Sequence, residues 1–150
     1  YAQRSSRWSG ALMFLDHVGI SVANLDSLAA WYSEAFGLEL STPFEIPSIN
    51  LRGVFLVGQN GLAIELLERE GSRPGLQAAN TSEALLTRGY GHMCFRIEDV
   101  DSMHAHLLAT GASERMAPQM APEPGVRMSF VADPEGNLIE LLDRKGPVGT

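Results

Sequence analysis

His17, Glu65, His92 and Glu140 are the residues of this chain whose types and spacing could do metal chemistry. The two histidines stand 75 positions apart (92 − 17), and so do the two glutamates (140 − 65). Two imidazoles and two carboxylates suit a borderline divalent ion such as Zn, Ni, Co, Mn or Fe(II). Four protein ligands leave two positions of an octahedral ion for water or substrate oxygens, and an open site of that kind does chemistry. Taken singly, each residue has a plainer reading. A lone His beside apolar neighbours is more often a satisfied core or rim histidine, and a lone Glu ending a strand is usually solvated. Four ligand-type residues at matching positions of a repeat reverse those odds.

The repeat covers most of the chain. Residues 17–69 laid over 92–144 give 15 identical pairs among 53, against about 3 or 4 for ordinary composition. His17 falls on His92, Asp26-Ser27 on Asp101-Ser102, Arg52 on Arg127, Gly61 on Gly136, and Ile64–Leu67 on Ile139–Leu142.

Each copy reads as strand, helix and three strands. In the expected first strands, Phe14–Val22 and Gly91–Ile97, aliphatic residues alternate with His17, Gly19 and Ser21 or with His92, Cys94 and Arg96. Period two puts each histidine on the face opposite the aliphatic set. Asp26 and Asp101 are the expected N-caps of the following helices, and Gly37 and Gly111 the residues that end them. Proline-containing stretches follow at 41–50 and 116–125. Each copy closes with two strands around a tight turn, Gly58–Gly61 and Asp133–Gly136. The chain divides into an extension or cloning remnant at 1–12, a first module at 13–69, a linker at 70–89, a second module at 90–145 and a tail at 146–150. Asn80 or Thr81 starts a short helix in the linker. The fold class is α+β: two tandem βαβββ modules forming a curved mixed sheet around a central metal-binding cavity.

The totals narrow the partners. Net charge is −7, with 18 acidic against 11 basic residues, which disfavours nucleic acid and anionic lipid. The single cysteine makes no internal disulfide and fits a reducing, cytoplasmic setting. No apolar run approaches the roughly 20 residues of a membrane span, and the opening residues do not read as a signal peptide.

Several segments resemble the vicinal-oxygen-chelate superfamily of glyoxalases, bleomycin resistance proteins and dioxygenases. GYGHMCFRIEDVDS and MSFVADPEGNLIELLD are similar to the C-terminal half of glyoxalase I, and LDHVGISVANLDSLAAWYSEAFGLEL is similar to methylmalonyl-CoA epimerase. The resemblance spans Met13–Arg144. It implies one divalent metal ion (Ni, Co, Zn, Mn or Fe) on His17, Glu65, His92 and Glu140, and a homodimer. It also implies a lyase, isomerase or epimerase acting on a small molecule. Glutamate at the second ligand position follows glyoxalase I. Ser21 and Arg69 depart from it, where related bacterial enzymes carry an arginine and an asparagine for glutathione.

The expected chemistry is proton transfer next to a carbonyl, with Glu140 as base and Glu65 as its partner. Arg96, Ser21 and Cys94 are the candidate substrate contacts, Cys94 as a small lining residue. Phe44, Ile46 and Met116–Met120 are candidates to line or cover the pocket. Arg52 and Arg127 read as structural, Trp31 and Tyr32 as packing or dimer contacts, and His104 and His106 as surface residues on different helix faces. Two other functions fit the same family: an Fe(II) extradiol-type dioxygenase using His17, His92 and Glu140, and a protein that sequesters an antibiotic or another small molecule.

Overall fold

The computed structural model describes residues 14–148, so the expected extension at 1–12 lies outside the described residues. Strand β1 (Val18–Val22) leads into helix α1 (Leu25–Phe36). The chain returns through β2 (Glu39–Leu40), β3 (Phe44–Ile46), β4 (Leu51–Val57) and β5 (Ala63–Arg69). A linker with a one-turn helix, α2 (Thr81–Ala84), precedes the second copy. That copy comprises β6 (Met93–Arg96), α3 (Val100–Ala109), β7 (Ser113–Met120), β8 (Arg127–Ala132) and β9 (Leu138–Leu142). The fold is α+β with two separate mixed sheets, ordered β1-β5-β4-β2 (β3 also pairing with β4) and β6-β9-β8-β7. In each sheet the first and last strands of the copy lie side by side in parallel. Gly19 is thereby set opposite Glu65, and Cys94 opposite Glu140.

The first strands are shorter than their sequence pattern, so His17 and His92 stand one residue ahead of β1 and β6. The alternation within them holds: Val18, Ile20 and Val22 are covered while Gly19 and Ser21 are exposed. Proline shapes the third position of each copy. In the first, the edge is broken into β2 and β3 on either side of Pro43. In the second, β7 stays whole and takes Pro118 where its register against β8 shifts.

The helix starts correct the expected caps. Asp26 and Asp101 do not cap; Asn24 and Asp99 do, each accepting the backbone N–H three residues on, from Ser27 and Ser102, at 3.0 Å. Asp26 and Asp101 sit in the first turns and face arginines instead. Arg127 binds Asp101 through Nε and Nη2, and Arg52 lies 3.5 Å from Asp26 while binding Glu68 at 3.0–3.2 Å. The repeated arginines therefore tie each helix to its own sheet, the structural role their repetition suggested. Gly37 (φ 65°) ends α1 and Gly111 (φ 104°) follows α3, both in the left-handed region that favours glycine.

The two copies meet through their helices, on the sheet faces away from the histidines. Leu25, Leu28, Ala29, Tyr32 and Ala35 recur at helical spacing along α1, and their core is continuous with Leu107, Val131, Ile139 and Leu141 of the second copy. Each large apolar side chain removed from water in this way contributes about 1.5–3 kcal/mol. Fully buried Tyr32 donates its hydroxyl to Asp133 at 2.8 Å. Trp31 Nε1 donates to the Thr110 carbonyl at 2.8 Å, and His106 Nε2 lies 3.1 Å from the Ala35 carbonyl. These two contacts are images of one another, since 31 + 75 = 106 and 35 + 75 = 110; the modules cross at an approximate twofold axis.

Two expectations change here. His106 is exposed, yet it bonds across the modules. His104 is not a surface residue: it is 4% exposed, its Nε2 lies 3.0 Å from Glu114 of β7, and its buried Nδ1 has no partner. Helical position 104 faces β7, and the Glu114 carboxylate satisfies the polar group placed there. No helix among the described residues is long and apolar enough to cross a membrane.

Candidate metal centre

In the first copy, His17 Nε2 lies 3.5 Å from Glu65 Oε2. Parallel pairing of β1 with β5 produces this approach, and Gly19 keeps it open: a Cβ there would meet Glu65 Oε2 at 3.4 Å. Asp16 Oδ1 lies 2.7 Å from His17 Nδ1. An ionised carboxylate only accepts, so Nδ1 carries a proton toward Asp16, and Nε2 is the nitrogen turned toward Glu65. The Asp16 hydrogen bond is also the main reason the imidazole is held above its usual pKa, opposed by desolvation and helped by the Glu65 charge.

The second copy repeats the pair more tightly. His92 Nε2 lies 3.0 Å from Glu140 Oε2, and both side chains are partly exposed, at 36% and 16%. Cys94 occupies the place of Gly19. The residue as a whole is exposed, but its sulfur is crowded. Desolvation first, then the Glu140 charge and hydrogen bond, push the thiol up to about 12, with Arg144 opposing. A protonated thiol at neutral pH is no nucleophile, in keeping with a small lining residue.

An aromatic ring completes each half. Phe55 meets His17 edge-on at 5.2 Å between centroids, and Phe130 meets His92 likewise at 5.1 Å. Each phenylalanine is paired in register with the glutamate of its own half, Phe55 with Glu65 and Phe130 with Glu140. Sequence reasoning missed both residues, although Phe55 and Phe130 are an identical pair of the 75-residue repeat. Phe44 packs on the same face, its ring lying over Gly53, where any Cβ would come within 2.3 Å of it.

His17 and His92 both border a cavity of about 450 Å³ lined also by Tyr32, Tyr90 and Asn137, but neither glutamate reaches it. Among the described residues no three His, Cys, Asp or Glu side chains gather into a metal-sized cluster. Arg96 is exposed on the face of His92 and Cys94. Ser21 is set apart from the histidines, lining a smaller cavity of about 310 Å³ with Arg73 and Glu135. Ile46 and Met120 are exposed, and Met116 is half-buried on β7.

The donor chemistry fits a divalent metal. Each pair aims an imidazole nitrogen and a carboxylate oxygen at one another, and no lysine or arginine forms an ion pair with Glu65 or Glu140 among the described residues. A shared cation satisfies both partners without the like-charge cost of opposing carboxylates.

Known proteins bear on this geometry. The sequence profile of the Glyoxalase/Bleomycin resistance protein/Dioxygenase superfamily matches residues 14–141. A lactoylglutathione lyase of Arabidopsis thaliana is 28% identical over 134 residues, covering 87% of this chain and 44% of that protein. The chain thus spans less than half the length of this relative. An ethylmalonyl-CoA/methylmalonyl-CoA epimerase of Cereibacter sphaeroides is 32% identical over 98 residues, covering 65% of this chain and 71% of that protein. Among solved structures, a glyoxalase family protein from Enterococcus faecalis superposes with a TM-score of 0.72 at 23% identity, covering 87% of this chain and 97% of that one.

Proposed function

This chain belongs to the Glyoxalase/Bleomycin resistance protein/Dioxygenase superfamily, and from that premise we propose that it is a metal-dependent isomerase, epimerase or lyase acting on a carbon next to a carbonyl. The observation that carries the reading is the repeated triad of histidine, glutamate and edge-on phenylalanine, His17–Glu65–Phe55 and His92–Glu140–Phe130. His17, Glu65, His92 and Glu140 would hold one divalent ion, which when bound polarises a carbonyl oxygen and acidifies the adjoining C–H. Glu140 takes the proton from that carbon and returns it to the same or a neighbouring carbon, while Glu65 remains the partner carboxylate. Phe55 and Phe130 fix the imidazole planes, and Asp16 fixes the His17 tautomer.

A second copy of the chain completes the site. Among the described residues β1 and β6 are edge strands of their sheets, each paired on one side only. The modules of one chain share a core through α1 and α3, and their histidines border one cavity that neither glutamate lines. In a twofold dimer the first half of one chain faces the second half of the other, giving two sites.

Metal analysis beside a His17→Ala, Glu140→Gln variant tests the reading. Wild-type protein is expected to carry about one first-row divalent ion per chain, and the variant none. A wild type that stays metal-free after reconstitution sinks the mechanism.

A further inference from the structure

The ligand face of the second sheet carries two arginines in unlike states. Arg144, just past β9, is neutralised: its Nε lies 3.0 Å from both carboxylate oxygens of Glu123, and Nη2 also binds that carboxylate. Arg96 on β6 is exposed and has no hydrogen-bond or ion-pair partner among the described residues. In a chain with 18 acidic and 11 basic residues, an arginine left without a carboxylate beside a reaction centre stands out. The first copy has no arginine at the position that matches Arg96. Its counterpart of Arg96 is Ser21 (96 − 75), and Arg69, the counterpart of Arg144, lines a cavity with Glu45, Glu68 and Glu70.

Register fixes where Arg96 stands. Cys94 pairs with Glu140 and Arg96 with Leu142, so Arg96 is two residues, about 7 Å, further along the sheet than the glutamate that takes the proton. Its side chain spans a similar length, and its guanidinium presents two parallel N–H groups that match an oxyanion.

We infer that the substrate of this site is an anionic carbonyl compound whose carboxylate or phosphate is bound by Arg96, a few bonds from the carbon that exchanges its proton. The inference rests on the proton-transfer reading above and adds the class of substrate. The anion sits on the second-module side because Arg96 lies on the same face as His92 and Cys94, one strand over from Glu140. A neutral substrate would leave Arg96 beside the Glu140 half-site with nothing to neutralise it. The bound anion also fixes the carbonyl end relative to Glu140, so a charged substrate is oriented as well as held.

Calorimetric titration of the metal-reconstituted protein tests this with three probes. Levulinate carries a ketone and a carboxylate, dihydroxyacetone phosphate a ketone and a phosphate, and methyl levulinate a ketone without charge. Wild type is expected to bind one or both anions about ten- to a hundredfold tighter than the ester, with the preference fading as salt rises. The better anion identifies the substrate's charged group. Arg96→Gln is expected to abolish the preference, Arg96→Lys to keep part of it, and Arg88→Gln, in the exposed linker, to leave it whole. Metal content measured on the same samples separates the two readings. Equal metal in wild type and Arg96→Gln with an unchanged anion preference overturns the role of Arg96 alone. No preference for either anion over the ester in wild type overturns it too. Metal-free protein that still loses its anion preference in Arg96→Gln overturns the proton-transfer reading and retains the anion subsite.

Discussion

In the first module an aspartate precedes the histidine and a glycine stands beside the glutamate. In the second a glycine, Gly91, precedes the histidine, and a cysteine stands beside the glutamate. The first half-site thus has its tautomer set in advance by Asp16 and has room around Glu65. In the second, His92 Nε2 and Glu140 Oε2 stand closer, at 3.0 Å, and Cys94 takes up the room that Gly19 leaves open in the first. What the halves share is also instructive. Identical pairs of the repeat (His17/His92, Glu65/Glu140, Phe55/Phe130, Arg52/Arg127) work inside each module. The residues that join the modules are unlike in the two copies. Tyr32, bonded to Asp133, has leucine as its counterpart, Asp133 has glycine, and Trp31 has His106.

The largest effect comes from breaking opposite halves in different chains. His17→Ala with Glu65→Gln destroys the first half, and His92→Ala with Glu140→Gln destroys the second. Each variant alone is expected to lose metal affinity by more than about a hundredfold, since two of four ligands are gone. Refolded together in equal amounts, they are expected to regain one intact site per mixed dimer, read as about a quarter of an ion per chain when half the dimers are mixed, and as activity absent from either parent. Absence of any recovery in a mixture that does form dimers would place all four ligands within one chain.

A second contrast lies in the turns. Asp133 organises the β8–β9 turn with its side chain, accepting N–H groups of Glu135 and Asn137 at 2.9 Å, the Asn137 amide at 2.8 Å and the Tyr32 hydroxyl. The β4–β5 turn relies on backbone: Gly58 donates to the Leu62 carbonyl at 2.9 Å, and Asn60 and Gly61 adopt positive φ. Asp133 is 2% exposed, so Asp133→Ala strands several donors at once. It is expected to cost about 3 kcal/mol in denaturant unfolding. Gly58→Ala brings a Cβ within 2.8 Å of the Leu38 side-chain end, which can shift, for about 1 kcal/mol. Equal costs for the two would erase the distinction between side-chain and backbone turns.

The same division governs what the sequence made legible. Identity at a spacing of 75 exposed the candidate ligand residues, the arginines that tie helix to sheet, and both turns. The caps escaped because Asn24 and Asp99 do the same work with different side chains, while the identical Asp26 and Asp101 drew attention to the wrong position. Phe55 and Phe130 were identical too, but an apolar residue in a strand reads as core until its neighbours across the sheet are known. His104 and His106 could not be placed, since helical period gives opposite faces without saying what packs on either. The separation of the half-sites was not legible at all, because it depends on which faces the modules use to meet.

The smallest expected effect tests the pair that differs least between the copies. Glu68 and Asp143 are counterparts (143 − 68 = 75), yet Glu68 accepts the N–H of Leu25 at the start of α1, at 2.7 Å, whereas Asp143 accepts the N–H of Arg127 within its own sheet. The Leu25 N–H first, and then the Arg52 guanidinium, hold the Glu68 carboxyl below its usual range against the opposing pull of desolvation. A carboxyl lowered by folding stabilises the protein above its unfolded pKa, near 4.5, and that contribution is lost as pH falls through the lowered value. Glu68→Gln retains an acceptor for Leu25 but not the charge at the helix start or the pairing with Arg52. At pH 7 it is expected to cost about 0.5 kcal/mol, within the usual range of partly exposed pairs. Once the pH has fallen below the lowered Glu68 value, the variant and wild type should converge, read as thermal midpoints across the acid range. A gap that persisted or widened at low pH would mean that the glutamate acts by its shape in packing, and the charge link between α1 and the first sheet would carry no stability.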